Sequence, residues 1–208
     1  MYWLAMLTML IDHVGLVFFP ADPAWRIAGR LAFPIYAYAL YMGYDRTRDM
    51  RSYMLRLLGL ALISQLPYML AFDVYRPNVI WTLLASLLAL AAASRLKHWA
   101  AITCLYVVTA LVMELSLMDY GAYGLLLVLI YRYTRSYRMV GAHFALNVVY
   151  DLVHHANIQH FSLLSSILIA CFASEKSGFY SRVPRWLWRS FYPVHLAVIA
   201  VIRIWPSF

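Results

Sequence analysis

MLTMLIDHVGLVFFP, residues 6–20, is an apolar run that carries Asp12 and His13 side by side. Its length and composition suit a helix in lipid. A charged side chain near the bilayer centre costs about 2.5–3.5 kcal/mol on insertion, so such residues persist where they pair, face a cavity or work. The stretch therefore sets both the fold class and the functional question. Neighbouring positions on a helix point about 100° apart, so Asp12 and His13 need not face each other. Asp12 either charges and orients another group or reaches His13 through a bent contact or a water.

The rest of the chain repeats this character. Of its 208 residues 64% are hydrophobic and only 12% charged, against about 25% charged in a soluble domain. That leaves too little polar surface to cover a water-soluble core. The composition predicts an all-α protein, a polytopic transmembrane helical bundle forming a single integral membrane domain over residues 1–208. Nine spans are predicted, near 2–19, 28–44, 53–72, 78–94, 99–117, 121–133, 138–153, 161–174 and 190–205. The N-terminus lacks a basic n-region, and Asp12 and His13 interrupt its apolar core, so a cleavable signal is not expected.

The charges test that layout. With a cytoplasmic N-terminus, the inner connectors hold Arg46, Arg48, Arg51 and Arg56, then Arg95 and Lys97, then Arg132, Arg135 and Arg138, then Lys176, Arg182, Arg185 and Arg189. Those are thirteen of the 17 lysines and arginines. The outer side receives Arg26, Arg30, Arg76 and Arg203. This bias is that of a multi-pass protein of the bacterial cytoplasmic (inner) membrane. It also accounts for the net charge of +8 without nucleic acid, and no nucleic-acid partner is expected. Cys104 and Cys171 lie in apolar runs and suggest neither a disulfide framework nor a zinc site. His154, His155 and His160 lack the HExxH spacing, and no metal is expected.

Further polar residues interrupt the spans. Arg30 sits in RIAGRLAFPIYAY, where Gly29 permits a close helix approach and Pro34 predicts a kink. Gln65 and Tyr68 interrupt ISQLPYML, and Asn78 opens NVIWTLL. Asp119 and Tyr120 lead MDYGAYG, and Tyr192 and His195 fall in FYPVHLAV. Each alone suits ordinary helix packing. Together they form the expected lining of a hydrated cavity, most of it toward the outer half.

In order along the chain, LIDHVG, GRLAFPIYAYAL, YMLRLLGLALISQLPY, NVIWTLLASLLAL, DYGAYGLLLVL and YPVHL resemble the TraX family of integral membrane proteins. The likeness spans nearly the whole chain and is less distinctive from about 134 to 188. The family takes its name from the acetylase of the N-terminus of conjugative pilin. It is similar to a broader group of transmembrane acyltransferases that includes the lysosomal heparan glucosaminide acetyltransferase. In that group a histidine toward the non-cytoplasmic end of a span is essential, and acetyl-CoA supplies the acyl group.

The resemblance implies an acetyltransferase that takes cytoplasmic acetyl-CoA as co-substrate. Its catalytic pair would be His13 and Asp12, with Arg30 as the basic partner. Histidine is the usual base near neutral pH, a carboxylate fixes its tautomer, and an arginine or amide steadies an oxyanion. On this expectation His13 is the general base, Asp12 supports it, and Arg30, Gln65 or Asn78 place the substrates. A covalent acetyl-His13 route competes. Tyr68, Asp119, Tyr120, Tyr192 and His195 complete the binding set, the last two along the inner path. Arg46, Arg48, Arg51 or Arg135 would contact the CoA phosphates. The expected partners are the lipid bilayer and an acyl acceptor, either a pilin-like protein or a glycan, with homodimerisation left open. The rival class is a transporter or proton-coupled membrane protein without acyl transfer, in which the same residues form a relay.

Overall fold

The computed structural model describes residues 1–172 and 183–205, and the regular structure among them is helical. The helices are α1 (Tyr2–Phe18), α2 (Pro23–Gly29), α3 (Ala32–Arg46), α4 (Met50–Phe72), α5 (Val79–Ala93), α6 (Trp99–Leu115), α7 (Gly121–Tyr133) and α8 (Ser136–His154). A 3-10 turn (Asn157–Ser162) then leads into α9 (Leu163–Phe172), and α10 (Arg185–Ile204) follows. Lys176, Arg182 and the last two residues of the predicted 161–174 span lie outside the described residues.

Local chemistry explains where elements begin. Asp22 caps α2 by accepting from the Ala24 amide at 2.9 Å, with Pro23 in the first turn, where its missing N–H costs nothing. Asp49 caps α4 by accepting from the Ser52 amide, so this helix starts three residues before the predicted 53. Asn78 caps α5 through the Ile80 amide.

The predicted second span, 28–44, is two helices. Pro34 has no N–H for the Arg30 carbonyl, and its ring would collide with that carbonyl in a continuous helix. The chain therefore breaks at Arg30 and Leu31, and Pro34 falls in the first turn of α3. The kink expected at Pro34 is instead a full break that leaves Arg30 between two helices. The 3-10 turn similarly carries the start of the predicted eighth span. In the ninth, α10 begins at Arg185 rather than 190, because Arg185 and Arg189 lie on the helix rather than in the connector.

The helices alternate in direction. One end of the bundle carries Met1 and the α3–α4, α5–α6 and α7–α8 connectors; we call it the Met1 end. The opposite, Asp22 end carries the α1–α2, α4–α5, α6–α7 and α8–α9 connectors. Central α3 packs on α1, α5, α7 and α9, while α10 packs on α4 and α1. One apolar cluster gathers around Phe33, Tyr41, Leu87, Leu127 and Tyr131, a second around Met9, Ala61, Tyr68, Tyr192 and Leu196.

Polar side chains are buried within the bundle while broad apolar faces are exposed. Ser86, His143, Asn147, Ser162, Ser165 and Ser166 are buried, while Leu62 and Leu66 of α4, Val107 and Leu111 of α6, Leu152 and Val153 of α8, and Val194, Val198 and Val201 of α10 are exposed. Among the described residues two helices, α4 with its 23 residues and α10 over residues 186–204, are long and apolar enough to cross a membrane. The apolar helices α1, α5, α6 and α7 and the 157–172 run are shorter.

Candidate functional site

A cavity of about 1360 Å³ lies among α1, α3, α4, α5 and α10 and reaches the α6–α7 connector. At the Met1 end its lining includes Tyr2, Thr47, Tyr53, Arg56, Trp188 and Arg189. Tyr36, Met9, His13 and Tyr192 follow, and at the Asp22 end come Asp12, Arg26, Arg30, Tyr68, Arg76, Asp119 and Tyr120.

Close helix approach positions Asp12. A Cβ on Gly29 would lie 2.0 Å from Asp12 Oδ1, and one on Gly15 would lie 2.1 Å from the Trp25 Cβ. Only glycine at these two positions lets α2 settle onto α1. Arg26 then reaches back to Asp12 and donates from Nη1 to Oδ2 at 2.8 Å, with both side chains largely buried. Asp12 is thus answered by Arg26 and is not the hydrogen-bond partner of His13. Its second oxygen, Oδ1, is buried without a protein partner.

His13 turns the other way. Its Nδ1 lies 2.7 Å from His195 Nε2, and the two rings are nearly parallel, with centroids 5.0 Å apart. His195 Nδ1 donates to the Phe191 carbonyl at 2.6 Å. Phe72 and Tyr192 pack edge-on against the His13 ring. His195 lies behind His13 and does not line the cavity, unlike the inner-path role expected for it.

Arg30, freed from regular helix by the break before α3, donates to Tyr120 Oη at 3.4 Å and Gln159 Oε1 at 3.3 Å. Its Nε is buried and unpartnered. Gln159 continues inward, donating to Tyr123 Oη at 2.8 Å, and Tyr123 contacts Asn147, His143 and Ser162. This buried network holds the Gln159 amide that receives Arg30.

Tyr120 has a positive φ of 62° and stacks on Phe33 with centroids 3.9 Å apart. Asp119 accepts from Tyr68 Oη at 2.7 Å and pairs with Arg76 at 3.6 Å, and its backbone carbonyl accepts from Thr82. Burial in this connector raises the Asp119 carboxyl above the ordinary carboxylate range, while Tyr68 and Arg76 oppose the shift.

Gln65 and Asn78 do not reach the cavity. Gln65 Oε1 accepts from the Asn78 amide, Asn78 Nδ2 and Trp81 Nε1, and its Nε2 donates to the Arg76 carbonyl. Asn78 Nδ2 also donates to the Ala61 carbonyl at 3.0 Å. These two candidate substrate ligands are occupied in joining α4 to the start of α5. Nor do Arg46, Arg48, Arg51 or Arg135 line the cavity; the arginines at its Met1 end are Arg56 and Arg189.

Sequence reasoning passed over Arg26, Arg56, Arg76, Arg189, Tyr36 and Gln159. Arg26 stands four residues before Arg30, a spacing that puts both on one helical face. Tyr36 Oη, like Asp12 Oδ1 and Arg30 Nε, is buried without a hydrogen-bond partner. Leaving such a group unsatisfied costs about 1–3 kcal/mol. Three such atoms on residues that line one cavity suit a polar ligand.

An all-helical protein with outward apolar faces and a large, charged interior cavity is the class these features define. A family model described as "TraX protein" matches residues 1–203, and the chain belongs to this family. Two relatives cover almost all of it. It is 28% identical over 234 residues to the probable fimbrial assembly protein FimC, serogroup H1, of Dichelobacter nodosus, an alignment covering 97% of this chain and 93% of that one. It is 25% identical over 213 residues to protein TraX of Escherichia coli, covering 96% of this chain and 84% of that one. No solved structure matches.

Proposed function

We propose that this protein is a polytopic acetyltransferase of the bacterial inner membrane. It moves an acetyl group from cytoplasmic acetyl-CoA to an acceptor at the opposite face. The observation that carries this reading is the cavity: one space joins Arg56 and Arg189 at the Met1 end to His13, Arg30 and Asp119 toward the other. Its 1360 Å³ exceeds the roughly 300–1,000 Å³ of a pocket for one small ligand, which leaves room for two substrates. The exposed apolar faces of α4, α6, α8 and α10 suit lipid contact, and the bias of arginines to the Met1 end supports a cytoplasmic placing of that end.

The residues fit the parts of an acyl transfer. Arg56 and Arg189 would meet the phosphates of acetyl-CoA, and Trp188, stacked on Tyr36 and tilted against Tyr2, gives an aromatic wall beside them. His13 takes the proton of the acceptor's amine or hydroxyl. Arg30, with Nε unanswered, stabilises negative charge on the carbonyl oxygen. Asp12 neutralises Arg26 and so leaves Arg30 as the cation for the reacting group. The name of the Dichelobacter relative, a fimbrial assembly protein, favours a pilin-like protein N-terminus as acceptor; an envelope glycan is the other class.

The test is incubation of the purified protein with acetyl-labelled CoA and candidate acceptors, reading CoA release and transferred label. Transfer is expected in the wild type and abolished by His13→Ala. Transfer that survives His13→Ala overturns the assignment of His13. Absence of acetyl-CoA binding overturns the enzyme reading in favour of transport.

A further inference from the structure

We propose that His195 is the positioning residue that fixes the tautomer of His13, so that His13 Nε2 is the proton-accepting atom at the cavity. This rests on the reading of His13 as a base, and it gives the tautomer-setting part to His195 rather than to Asp12.

The argument starts at a carbonyl. An amide oxygen only accepts, so the 2.6 Å contact between His195 Nδ1 and the Phe191 oxygen requires a hydrogen on Nδ1. In a neutral imidazole the other nitrogen then holds a lone pair. That nitrogen, His195 Nε2, faces His13 Nδ1 at 2.7 Å. Two lone pairs do not meet at that distance, so His13 Nδ1 carries the hydrogen and donates it. His13 Nε2 is left with the lone pair, and His13 lines the cavity where His195 does not.

Ring packing holds the pair in this register. Phe191 stacks on His195 with centroids 4.8 Å apart, and Phe72 and Tyr192 close against His13 at 5.0 and 6.2 Å. Asp12 does not do the same work: its Oδ2 accepts from Arg26, and its Oδ1 makes no hydrogen bond to His13.

The proton balance is simple. The acceptor's N–H or O–H proton passes to His13 Nε2 as the acceptor's electron pair forms the new bond to the acyl carbon. The His13 Nδ1 proton then either stays or shifts to His195 Nε2, which moves the positive charge one ring further from the reacting atoms. The hydrogen on His195 Nδ1 stays there throughout, donated to the Phe191 oxygen. As the acyl carbon–sulfur bond breaks, reversal returns the proton from His13 Nε2 to the departing CoA thiolate.

The test uses the full chain in lipid nanodiscs with ¹⁵N-histidine, at a pH where both rings are neutral. The His13 signals are identified by their loss in His13→Asn. Wild-type His13 is expected as the Nδ1–H tautomer. His195→Gln should keep it, because a carboxamide oxygen can accept from Nδ1–H, whereas His195→Leu should release His13 toward Nε2–H. In acetyl transfer, His195→Leu should lower kcat about 10²–10⁴-fold with the KM for acetyl-CoA nearly unchanged. His195→Gln should recover most of the loss. Nε2–H on wild-type His13, or an unchanged tautomer and kcat in His195→Leu, overturns the proposal. Should His195→Leu not fold, the wild-type and His195→Gln spectra still decide. If the wild type transfers no acetyl group, the enzyme reading fails while the tautomer result stands.

Discussion

Replacing Gly29 by alanine tests whether α2 holds Asp12 through Arg26. The new Cβ would lie 2.0 Å from Asp12 Oδ1 and 2.3 Å from Asp12 Cβ and Cγ, where real contacts stay above 3.0 Å. The carboxylate can rotate away, but Asp12 Cβ is fixed to the backbone of α1, so the two helices must separate by roughly 1 Å, a backbone shift typical of overpacking. That stretches the 2.8 Å contact from Arg26 to Asp12 beyond the hydrogen-bonding range of about 3.2 Å. Overpacking costs about 1–3 kcal/mol, and loss of a hydrogen bond to a charged group costs about 1.5–3 kcal/mol. The better helix propensity of alanine returns at most about 1 kcal/mol. The net loss is about 1.5–5 kcal/mol. At about 2–4 °C per kcal/mol for a chain of this size, the expected drop in Tm is at least about 3 °C, read by circular dichroism on protein in one fixed detergent. Gly141→Ala is the control: its Cβ meets nothing within 4 Å, and the same helix propensity should leave Tm unchanged or raise it. A Gly29→Ala protein that melts with or above the wild type, beside a normal control, would refute the close α1–α2 contact and with it the placing of Asp12 by Arg26.

Other outcomes follow from the same geometry. A double-mutant cycle of Asp12→Asn and Arg26→Gln, read by thermal unfolding, should give a coupling of about 1.5–3 kcal/mol; additivity would mean that the pair does not form. Asn78→Ala removes the α5 cap and two side-chain bonds and should cost about 2–3 kcal/mol in the same assay. Arg56→Gln and Arg189→Gln should each raise the KM for acetyl-CoA about 10-fold or more with kcat held, the scale of one charge-assisted contact. Arg48→Gln and Arg51→Gln should leave that KM within about twofold, since only rim-type electrostatics are lost.

The alternation of apolar runs and charged connectors was readable because contact with lipid constrains composition over whole segments. The split second span was half readable. Pro34 announced a disturbance, and the rule that proline rejects the carbonyl four residues earlier pointed to Arg30. What periodicity did not supply was the position of α2 against α1, which depends on Gly15 of α1 facing Trp25 and Gly29 of α2 facing Asp12. Asp12, His13 and Arg30 stood out because polar side chains in an apolar context are costly. Which residues they pair with did not, because helical phase orders residues along one helix and is silent on what packs beside it. His195 is 182 positions from His13.

Gln65 and Asn78 show the opposite failure. Their polarity gave the same signal as that of His13, but their hydrogen bonds are used up between two helices. One clue did separate them. Asn78 immediately precedes an apolar run, the position of a helix cap, and a side chain bonded to its own helix start has less left for a substrate. The arginines of the Met1 end divide by phase in the same way. Tyr53, Arg56, Leu60 and Ile63 recur at three- and four-residue steps on α4 and all line the cavity, whereas Arg51 falls off that face. Trp188 and Tyr192 mark the corresponding stripe of α10, with Arg189 at its edge. On the proposed reading, phosphate contacts are therefore to be sought by following the stripe that leads to His13, because a charge off that stripe does not face the cavity.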